Sequence, residues 1–293
     1  MVRILLRGPL NVSEITCSLG LSQSNVSHNL RTLLDAGIVI RKGRGSWAYY
    51  SLNRNDTVLS IILDAVTSGR KEIENYEDDM SQLRSCYDKR KSEAREFFDR
   101  KASKFHEVSY LMPDPNAYIT NVINMFPEGS TILDAGCGRG ELVQMLALRG
   151  MTVIGVDQSP EMLAHAGKRI KSDVNCSNVD LRLGSAEQLP LEDSSVDGII
   201  VHMLLHHLSE PSLFFREVAR VCRNNGRCSV IELTPHEDSD LKRKQGDLWP
   251  GLDRDEVRVW MSFAGFSGIE DSVSDDGRVF ILSGVLDERN FCG

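Results

Sequence analysis

The chain has 293 residues, of which 41% are hydrophobic, and a formal net charge of −8 at pH 7. That length can bury a full core and suits two domains. Its first seven residues hold too short an apolar run for a signal peptide, and no stretch approaches membrane-spanning length, which predicts a cytoplasmic protein without a membrane partner. Seven cysteines without framework spacing predict reduced thiols rather than a disulfide scaffold.

Charge is unevenly divided along the chain. Residues 1–55 carry seven Lys or Arg against Glu14 and Asp35, a net charge of +5, which leaves −13 for the remainder. This division predicts a basic binding module joined to an acidic, enzyme-like one.

The first predicted elements are two short helices joined by a tight turn. Residues 11–19 have the pattern of an amphipathic helix, Gly20 begins the turn, and Ser22 caps a second helix that runs to Leu34. This is the pattern of a helix-turn-helix. Residues 38–52 then alternate and turn at a basic tip, which predicts the β-hairpin wing of a winged helix.

The basic module resembles the ArsR family of bacterial transcriptional regulators over roughly residues 3–55, through segments 21–30 and 34–39. The resemblance implies that the second helix enters the major groove of a double-stranded DNA operator, its early residues facing base edges. The base-reading candidates are Gln23, Ser24, Asn25, Ser27 and His28. The phosphate-contacting candidates are Arg31, Arg41, Lys42 and Arg44. A solvated polar helix face with a solvated charged turn is the alternative.

The metal site of many ArsR regulators is not predicted. Those relatives use a Cys-x-Cys pair at the start of the first helix of the motif, where this chain has Asn11 and Ser13. Cys17 lies one turn further along, and a single thiol there is more often a core residue than a ligand.

A polar, helical segment follows. An apolar seam with alternating three- and four-residue spacing runs along it at Ile73, Tyr76, Met80, Leu83 and Tyr87. The seam could pair with a second chain or pack against the chain's own domains. Because winged-helix regulators of this type usually read two-fold sites as dimers, a homodimer is predicted.

A glycine-rich turn is the main signal in the acidic part. The pattern D-x-G-x-G-x-G at residues 134–140 follows an apolar strand, and Asp157 ends the next strand, where it can accept hydrogen bonds from a ribose diol. A dinucleotide site needs the third glycine one residue later, and Glu141 would oppose a phosphate at the helix N-terminus. A cationic nucleoside without phosphate fits better.

This pattern resembles motif I of the class I S-adenosylmethionine (SAM) methyltransferases. Segments 156–163, 184–191, 195–198 and 205–208 continue the resemblance in family order, over roughly residues 131–235. It implies SAM as cofactor and an α/β fold whose Rossmann-like, seven-stranded sheet follows the winged helix and the helical linker. The predicted domains are a winged helix-turn-helix at 1–66, a helical linker at 67–92 and a class I methyltransferase at 93–293.

The resemblance also implies the cofactor contacts. The residues concerned are Asp134, Gly136, Cys137, Gly138, Asp157, Gln158, Met162, Ser185, Ala186, Glu187 and His202. Asp134 and the glycine turn would hold the methionine end, Asp157 the ribose, and the later residues the adenine. Ser185 stands where relatives often carry Asp, and a hydroxyl accepts a weaker hydrogen bond than a carboxylate.

Histidines supply the acid-base candidates. His206 and His207, placed at the start of the helix after the fourth strand, are the predicted catalytic residues, since an imidazole there could accept a proton from the acceptor. A structural or cofactor-contact role is the alternative, as is a metal pair of His202 and His206 if both are helical; no metal is predicted. Phe105, His236 and Trp249 are the predicted substrate lid and, with the basic run 242–244, suggest a small polar or anionic acceptor.

The fifth strand is predicted at residues 229–233, after a turn at 224–227. Cys222 and Cys228 flank that turn. Ligation of arsenic by these thiols is conceivable, but unpaired structural cysteines are more common.

Three functions remain open. The first is an active small-molecule methyltransferase controlled through its own DNA-binding domain. The second is a catalytically silent transcription factor that senses SAM or S-adenosylhomocysteine, and the third is a methyltransferase of a macromolecule recruited by the winged helix. His-Met-Leu-Leu at 202–205 replaces the Asn/Asp-Pro-Pro-Tyr/Phe segment that holds a flipped base, which argues against amino-methylation of DNA bases.

Overall fold

The computed structural model describes residues 1–42, 48–53, 75–101, 118–208, 211–235 and 251–287. The chain divides into two compact units, Met1–Ser92 and Glu93–Gly293. Each has its own hydrophobic core. Residues 75–92, predicted as part of a linker, belong to the first unit, while the predicted domain boundary at residue 66 stays a prediction.

The first unit is a winged helix. Its elements are α1 (Val2–Leu5), β1 (Leu10–Asn11), α2 (Val12–Leu19), α3 (Gln23–Asp35), β2 (Val39–Lys42) and β3 (Tyr49–Leu52), and its antiparallel sheet has the order β1-β3-β2. Asn11 and Glu14 form a capping box at the start of α2, because each side chain accepts the backbone N–H of the other. Gly20, with φ of 61°, ends α2 in the left-handed conformation that the turn requires.

A long helix, α4 (Tyr76–Lys101), follows in the described part of the chain. Met80, Leu83 and Tyr87 are buried in the core of the first unit, together with Ile15 and Leu30. The described part of the apolar seam therefore packs within its own chain, which is one of its two predicted roles. Ile73 lies outside the described residues, and the homodimer stays a prediction. Among the described helices, none is both long and apolar enough to cross a membrane.

The second unit is built on a seven-stranded sheet, which confirms the predicted Rossmann-like fold. Its described helices are α5 (Ile119–Ile123), α6 (Glu141–Ala147), α7 (Pro160–Lys171), α8 (Pro211–Val221) and α9 (Arg254–Phe263). Its strands are β4 (Thr131–Ala135), β5 (Thr152–Asp157), β6 (Val179–Leu183), β7 (Val196–His202), β8 (Cys222–Leu233), β9 (Phe266–Val273) and β10 (Val279–Leu286). The order is β6-β5-β4-β7-β8-β10-β9, and β10 runs antiparallel to both of its neighbours, β8 and β9.

The strand order reverses between β4 and β7. From β4 the chain builds β5 and β6 on one side, then returns to add β7 and β8 on the other. In open parallel sheets a ligand binds outside the carboxyl ends of the strands at such a switch point. The fold therefore places the expected site at the carboxyl ends of β4, β5 and β7.

Strand β8 is longer than predicted. It begins at Cys222 rather than at residue 229, because Val196 pairs with Cys222 and Gly198 with Arg227. The predicted turn is thus an irregularity inside one strand, with pairing continued on both sides. Gly226 permits it, since a Cβ there would lie 2.6 Å from the Cys222 Sγ.

Gly198→Ala is expected to destabilise the sheet. A Cβ at this position of β7 would lie 2.3 Å from Cε1 of Phe126 and 2.9 Å from Cδ1 of Ile132, inside the core. Overpacking of this kind costs about 1–3 kcal/mol or more. Gly167→Ala, in α7 with nothing within 4 Å of its Cβ, is the control and should gain about 0.5–1 kcal/mol. Urea unfolding checks both variants, and equal midpoints would contradict the prediction.

Candidate functional site

Predicted cofactor residues lie next to one another at the carboxyl ends of the three central strands, β4, β5 and β7. Ala135 of β4 is paired with Val156 of β5 and with Val201 of β7. The residues that follow these three are Gly136, Asp157 and His202, which therefore lie side by side at this edge of the sheet.

The glycine turn is hydrogen-bonded within the fold. The N–H groups of Gly136 and Cys137 both donate to the Val156 carbonyl, at 2.8 and 3.0 Å, and the N–H of Gly138 donates to Asp157 Oδ2 at 2.8 Å. A phosphate-binding loop directs such N–H groups at its ligand instead. The bonding therefore supports a ligand without a phosphate at this turn.

Two further features of the turn agree with that conclusion. Helix α6 begins at Glu141, whose carboxylate lies 2.5 Å from the Arg169 guanidinium, so an acidic side chain occupies the first turn where a phosphate would bind. At Gly136, with φ of 76°, a Cβ would lie 2.7 Å from Cδ1 of Leu204. Only glycine allows this close approach between the turn and the segment after β7.

Asp134 is the most unusual group at the edge. It is 2% exposed, and its Oδ2 has no hydrogen-bond partner among the described residues. Burial raises the pKa of Asp134 to about 8, and repulsion from Asp157 and Glu141 adds to the shift. A buried polar atom without a partner is costly, and a cationic ligand group would remove that cost.

Asp157 is held by the backbone around it. Its Oδ1 accepts the N–H of Ser159 and its Oδ2 that of Gly138, each at 2.8 Å. Burial raises the pKa of Asp157, while these two hydrogen bonds lower it. Each carboxylate oxygen has a second lone pair, which a ligand hydroxyl can use.

The end of α4 is hydrogen-bonded to this edge of the sheet through Ser159. The buried Ser159 hydroxyl accepts the N–H of Met162, which caps α7, and donates to Oδ1 of Asp99 at 2.5 Å. Phe98, beside Asp99, contacts the edge of the His207 ring at a centroid distance of 4.7 Å. The last turns of α4 thus lie over the carboxyl ends of β5 and β7.

The remaining predicted cofactor residues follow β5 and β6. Gln158 comes directly after Asp157, and Met162 is buried in the first turn of α7. Ser185 to Glu187 form a turn after the end of β6, where the Ser185 hydroxyl accepts the N–H of Glu187 at 3.3 Å. Their contacts with a cofactor stay predictions.

His202 is the last residue of β7, and its Nε2 lies 3.2 Å from the Tyr118 hydroxyl. Burial lowers the pKa of His202 to about 4, so the imidazole is neutral at pH 7. The helical metal pair considered for His202 and His206 does not form, since one lies in a strand and the other in a 3₁₀ turn. The described residues contain no cluster of three or more His, Cys, Asp or Glu suited to a metal.

His206 and His207 lie in the 3₁₀ turn Leu205–His207, not at the start of a helix as predicted, because α8 begins only at Pro211. His206 is 1% exposed, and its Nδ1 lies 2.5 Å from Oε1 of Glu232. Glu232, fully buried in β8, also accepts the N–H of Leu233 at 2.8 Å. The carboxylate fixes the orientation of the His206 ring, which lies 3.9 Å from that of His207.

Several residues at the edge were missed in the sequence analysis. Glu232 had a visible signal, since it is a lone charge inside an apolar strand segment. Asp99 and Tyr118 had none, because their positions depend on how α4 and α5 pack. The predicted lid residues Phe105, His236 and Trp249 lie outside the described residues.

The predicted DNA-contacting residues that the structure describes are exposed in the first unit. Val26 and Leu30 are buried beneath α3. Seven of the predicted residues are exposed on α3 and β2: Gln23, Ser24, Asn25, Ser27, His28, Arg31 and Arg41. The Lys42 side chain and all of Arg44 lie outside the described residues. The recognition helix therefore presents a polar and basic face, while DNA contact itself stays a prediction.

Two family models match the chain. One, described as a methyltransferase domain, matches residues 133–230, and the other, described as a bacterial regulatory protein of the arsR family, matches residues 1–41. This chain joins an arsR-type regulatory domain to a methyltransferase domain. The methyltransferase domain is of the type that uses SAM as cofactor.

Individual relatives agree with the family match. An uncharacterized methyltransferase of Mycobacterium bovis is 37% identical over 127 residues, which cover 43% of this chain and 49% of the relative. The arsenite methyltransferase of Halobacterium salinarum is 30% identical over 163 residues, 52% of this chain and 41% of the relative. This chain thus spans less than half the length of either relative.

A solved structure shows the same fold. The crystal structure of a SAM-dependent methyltransferase from Aquifex aeolicus aligns with a TM-score of 0.52 and 22% identity, over 62% of this chain and 97% of that one.

Proposed function

We propose that this protein transfers a methyl group from SAM to a small molecule and binds a double-stranded DNA operator through its first domain. The observation that carries the methyltransferase part is the buried Asp134, with its unpartnered oxygen at the edge beside Asp157. SAM is cationic at its sulfur and its amino group and carries no phosphate. Its positive charge complements the carboxylates that lie together at this site. Its lack of a phosphate agrees with a glycine turn whose N–H groups are not directed at a phosphate.

The residues at the edge fit the parts of this cofactor. Asp134 would accept hydrogen bonds from the ammonium group and Asp157 from the ribose hydroxyls, while the turn at 185–187 would border the adenine. SAM supplies a methyl group on a sulfonium, which a nucleophile displaces in line, so the site mainly has to align the two reactants.

We assign the proton-accepting role to His206. The Nδ1–H of His206 donates to Glu232, which leaves Nε2 as the lone-pair nitrogen and stabilises the imidazolium that forms. His202 is neutral and beside the Tyr118 hydroxyl, a contact suited to positioning an acceptor rather than to storing charge. His207 lies beside His206 and contacts the ring of Phe98.

The thiols do not favour arsenite as the acceptor, although one relative is an arsenite methyltransferase. Trivalent arsenic is soft and thiophilic. Cys222 lies at the amino end of β8, opposite the candidate site, and Cys228 is fully buried in mid-strand. Cys137 is a single buried thiol at the glycine turn, and of the seven cysteines Cys292 alone lies beyond the described residues. We therefore favour an organic acceptor with an oxygen, nitrogen or sulfur nucleophile.

One assay separates this proposal from a silent SAM sensor. Purified protein is incubated with methyl-labelled SAM and a metabolite extract, and binding to its own upstream DNA is measured with and without SAM. We expect a labelled small-molecule product, abolished by Asp157→Ala and retained by Glu192→Ala, an exposed acid before the opposite end of β7. A SAM-dependent DNA shift without product would favour the sensor. Label in DNA or protein would favour a macromolecular acceptor, and absence of SAM binding would contradict all three.

Arg31→Ala is expected to weaken operator binding by a similar factor on every sequence. An exposed arginine on the α3 face would contact phosphate, so its loss should lower the slope of log affinity against log salt by about 1. Gln23→Ala should instead weaken binding selectively, by about 1–3 kcal/mol for the preferred base. A salt titration on operator and scrambled DNA checks both. An Arg31→Ala salt slope equal to that of wild type would contradict the phosphate assignment.

A further inference from the structure

In the first unit, helices α2 and α4 face each other across a buried ion pair. Arg90 of α4 donates from Nε to Oε1 of Glu14 at 2.5 Å and from one terminal nitrogen to Oε2. Arg90 is 4% exposed, and its guanidinium lies 5.6 and 5.4 Å from the ring centres of Tyr49 and Tyr87. This contact fixes the register between the two helices.

One helical turn away from this ion pair, on the same faces of α2 and α4, two thiols lie near each other. Cys17 follows Glu14 by three residues and Cys86 precedes Arg90 by four, spacings that place each pair on one helix face. Cys86 Sγ lies 3.8 Å from the hydroxyl of Ser18, the neighbour of Cys17, and the Cys17 thiol is close enough to add to the raised pKa of Cys86. The structure therefore brings together two cysteines that are distant in the sequence.

The two thiols have different surroundings. Cys17 is exposed, whereas Cys86 is half-buried and burial raises the pKa of its thiol. The other cysteines of the described part, Cys137, Cys176, Cys222 and Cys228, are buried. Among the described thiols, Cys17 is thus the one that a dissolved oxidant reaches most easily, and a second thiol stands beside it. An accessible cysteine next to a resolving cysteine is the arrangement of reversible thiol oxidation.

We propose that Cys17 and Cys86 are a redox modification site that hydrogen peroxide converts to a disulfide. The Cys17 thiolate attacks one peroxide oxygen and breaks the O–O bond, which gives a sulfenic acid and, after protonation of the hydroxide, water. The Cys86 thiolate then attacks the Cys17 sulfur, and the second hydroxide leaves as water. The two thiols lose two electrons and two protons, and one peroxide is reduced to two waters.

The bond would join the first helix of the helix-turn-helix covalently to α4. Helix α2 is connected to the recognition helix by the short turn at Gly20, so the site lies where a covalent link can restrain the DNA-facing helices. This modification is independent of the methyltransferase proposal, because every residue that it needs lies in the first unit.

The test uses the full chain, treated with hydrogen peroxide, alkylated under denaturing conditions and mapped by mass spectrometry without reduction. We expect loss of two of the seven thiols and one linked peptide pair containing Cys17 and Cys86, both reversed by dithiothreitol. Cys17→Ser and Cys86→Ser should each abolish the linked pair, while Cys176→Ser, the matched control, should keep it. Cys86→Ala replaces the serine variant if a polar group at this half-buried position prevents folding.

Other outcomes overturn the proposal. These are a Cys17–Cys17 bond between chains, a Cys17 sulfinic acid with Cys86 still reduced, a disulfide between other cysteines, or retention of all seven thiols after peroxide treatment.

Discussion

Asp134→Asn is expected to weaken SAM binding by about 30- to 1000-fold at pH 8, which corresponds to about 2–4 kcal/mol. The carboxylate would form a buried, charge-assisted hydrogen bond with the ammonium group, and a neutral amide of the same shape cannot replace it. Isothermal titration calorimetry measures the effect. Asp180→Asn, an exposed acid of β6, is the control and should bind SAM as wild type does. Equal affinity of Asp134→Asn and wild type at pH 8 would contradict the assignment.

The same residue predicts a pH dependence with a definite sign. In the ligand-free protein the pKa of Asp134 is raised to about 8, so the carboxyl is protonated at pH 6 and must release its proton to hold a cation. The ratio of wild-type to Asp134→Asn affinity should therefore rise by up to about tenfold per pH unit between pH 6 and 8, then level off. Because both proteins bind the same ligand, titration of the SAM amino group cancels in this ratio.

Stability of the ligand-free protein should show the opposite trend. A carboxyl whose pKa is higher in the folded than in the unfolded state holds its proton longer when folded, so stability falls as pH rises from about 4 to 8. Asp134→Asn removes this loss, and its Tm should exceed that of wild type at pH 8 but not at pH 4. A lower Tm at pH 8 would mean that the carboxylate has a stabilising partner in the ligand-free fold.

Glu232→Gln is expected to lower the methyl-transfer rate by about 10²- to 10⁴-fold while leaving SAM affinity nearly unchanged. The carboxylate fixes the tautomer of His206 and stabilises its cationic form, and an amide does neither. Glu232→Ala would in addition leave the N–H groups of His206 and Leu233 without their acceptor and should cost about 3–5 kcal/mol of stability.

Single-turnover transfer from labelled SAM checks the Glu232 prediction, with urea unfolding as the test of folding. Glu192→Gln is the matched control at an exposed site. A folded Glu232→Gln protein that transfers methyl groups at the wild-type rate would contradict the role of His206 as proton acceptor. A rate loss that is recovered at higher pH would support it, because an acceptor that is already deprotonated no longer needs the imidazole as its base.

Much of the architecture could be predicted from local patterns. The capping residue Ser22, the left-handed Gly20 and the buried pair Val26 and Leu30 define the recognition helix through neighbours at most a few residues apart. The glycine turn and Asp157 predicted the ligand edge in the same way, because the carboxyl ends of neighbouring parallel strands meet there. Such features depend on spacing along the chain, which the amino-acid sequence contains in full.

The errors occurred where an element depends on pairing with a distant one. The start of β8 could not be seen locally, since residues 223–226 have the composition of a turn, and only the pairing of Cys222 and Arg227 on either side with β7 continues the strand through them. His206 was assigned to a helix because segment 205–208 resembles the helix after the fourth strand of SAM methyltransferases, but the buried Glu232 holds it in a 3₁₀ turn. Cys17 was expected in the core and is exposed.

The order of the elements, the two kinds of domain and the chemical type of the cofactor follow from sequence alone, because each rests on short-range spacing and residue type. Asp134 illustrates the limit of that information. Its place in the motif is visible in the sequence, but its raised pKa arises from burial and from carboxylates on other elements. The Glu232–His206 pair and the Cys17–Cys86 contact likewise exist only once distant segments pack, since side-chain chemistry is set by neighbours in space.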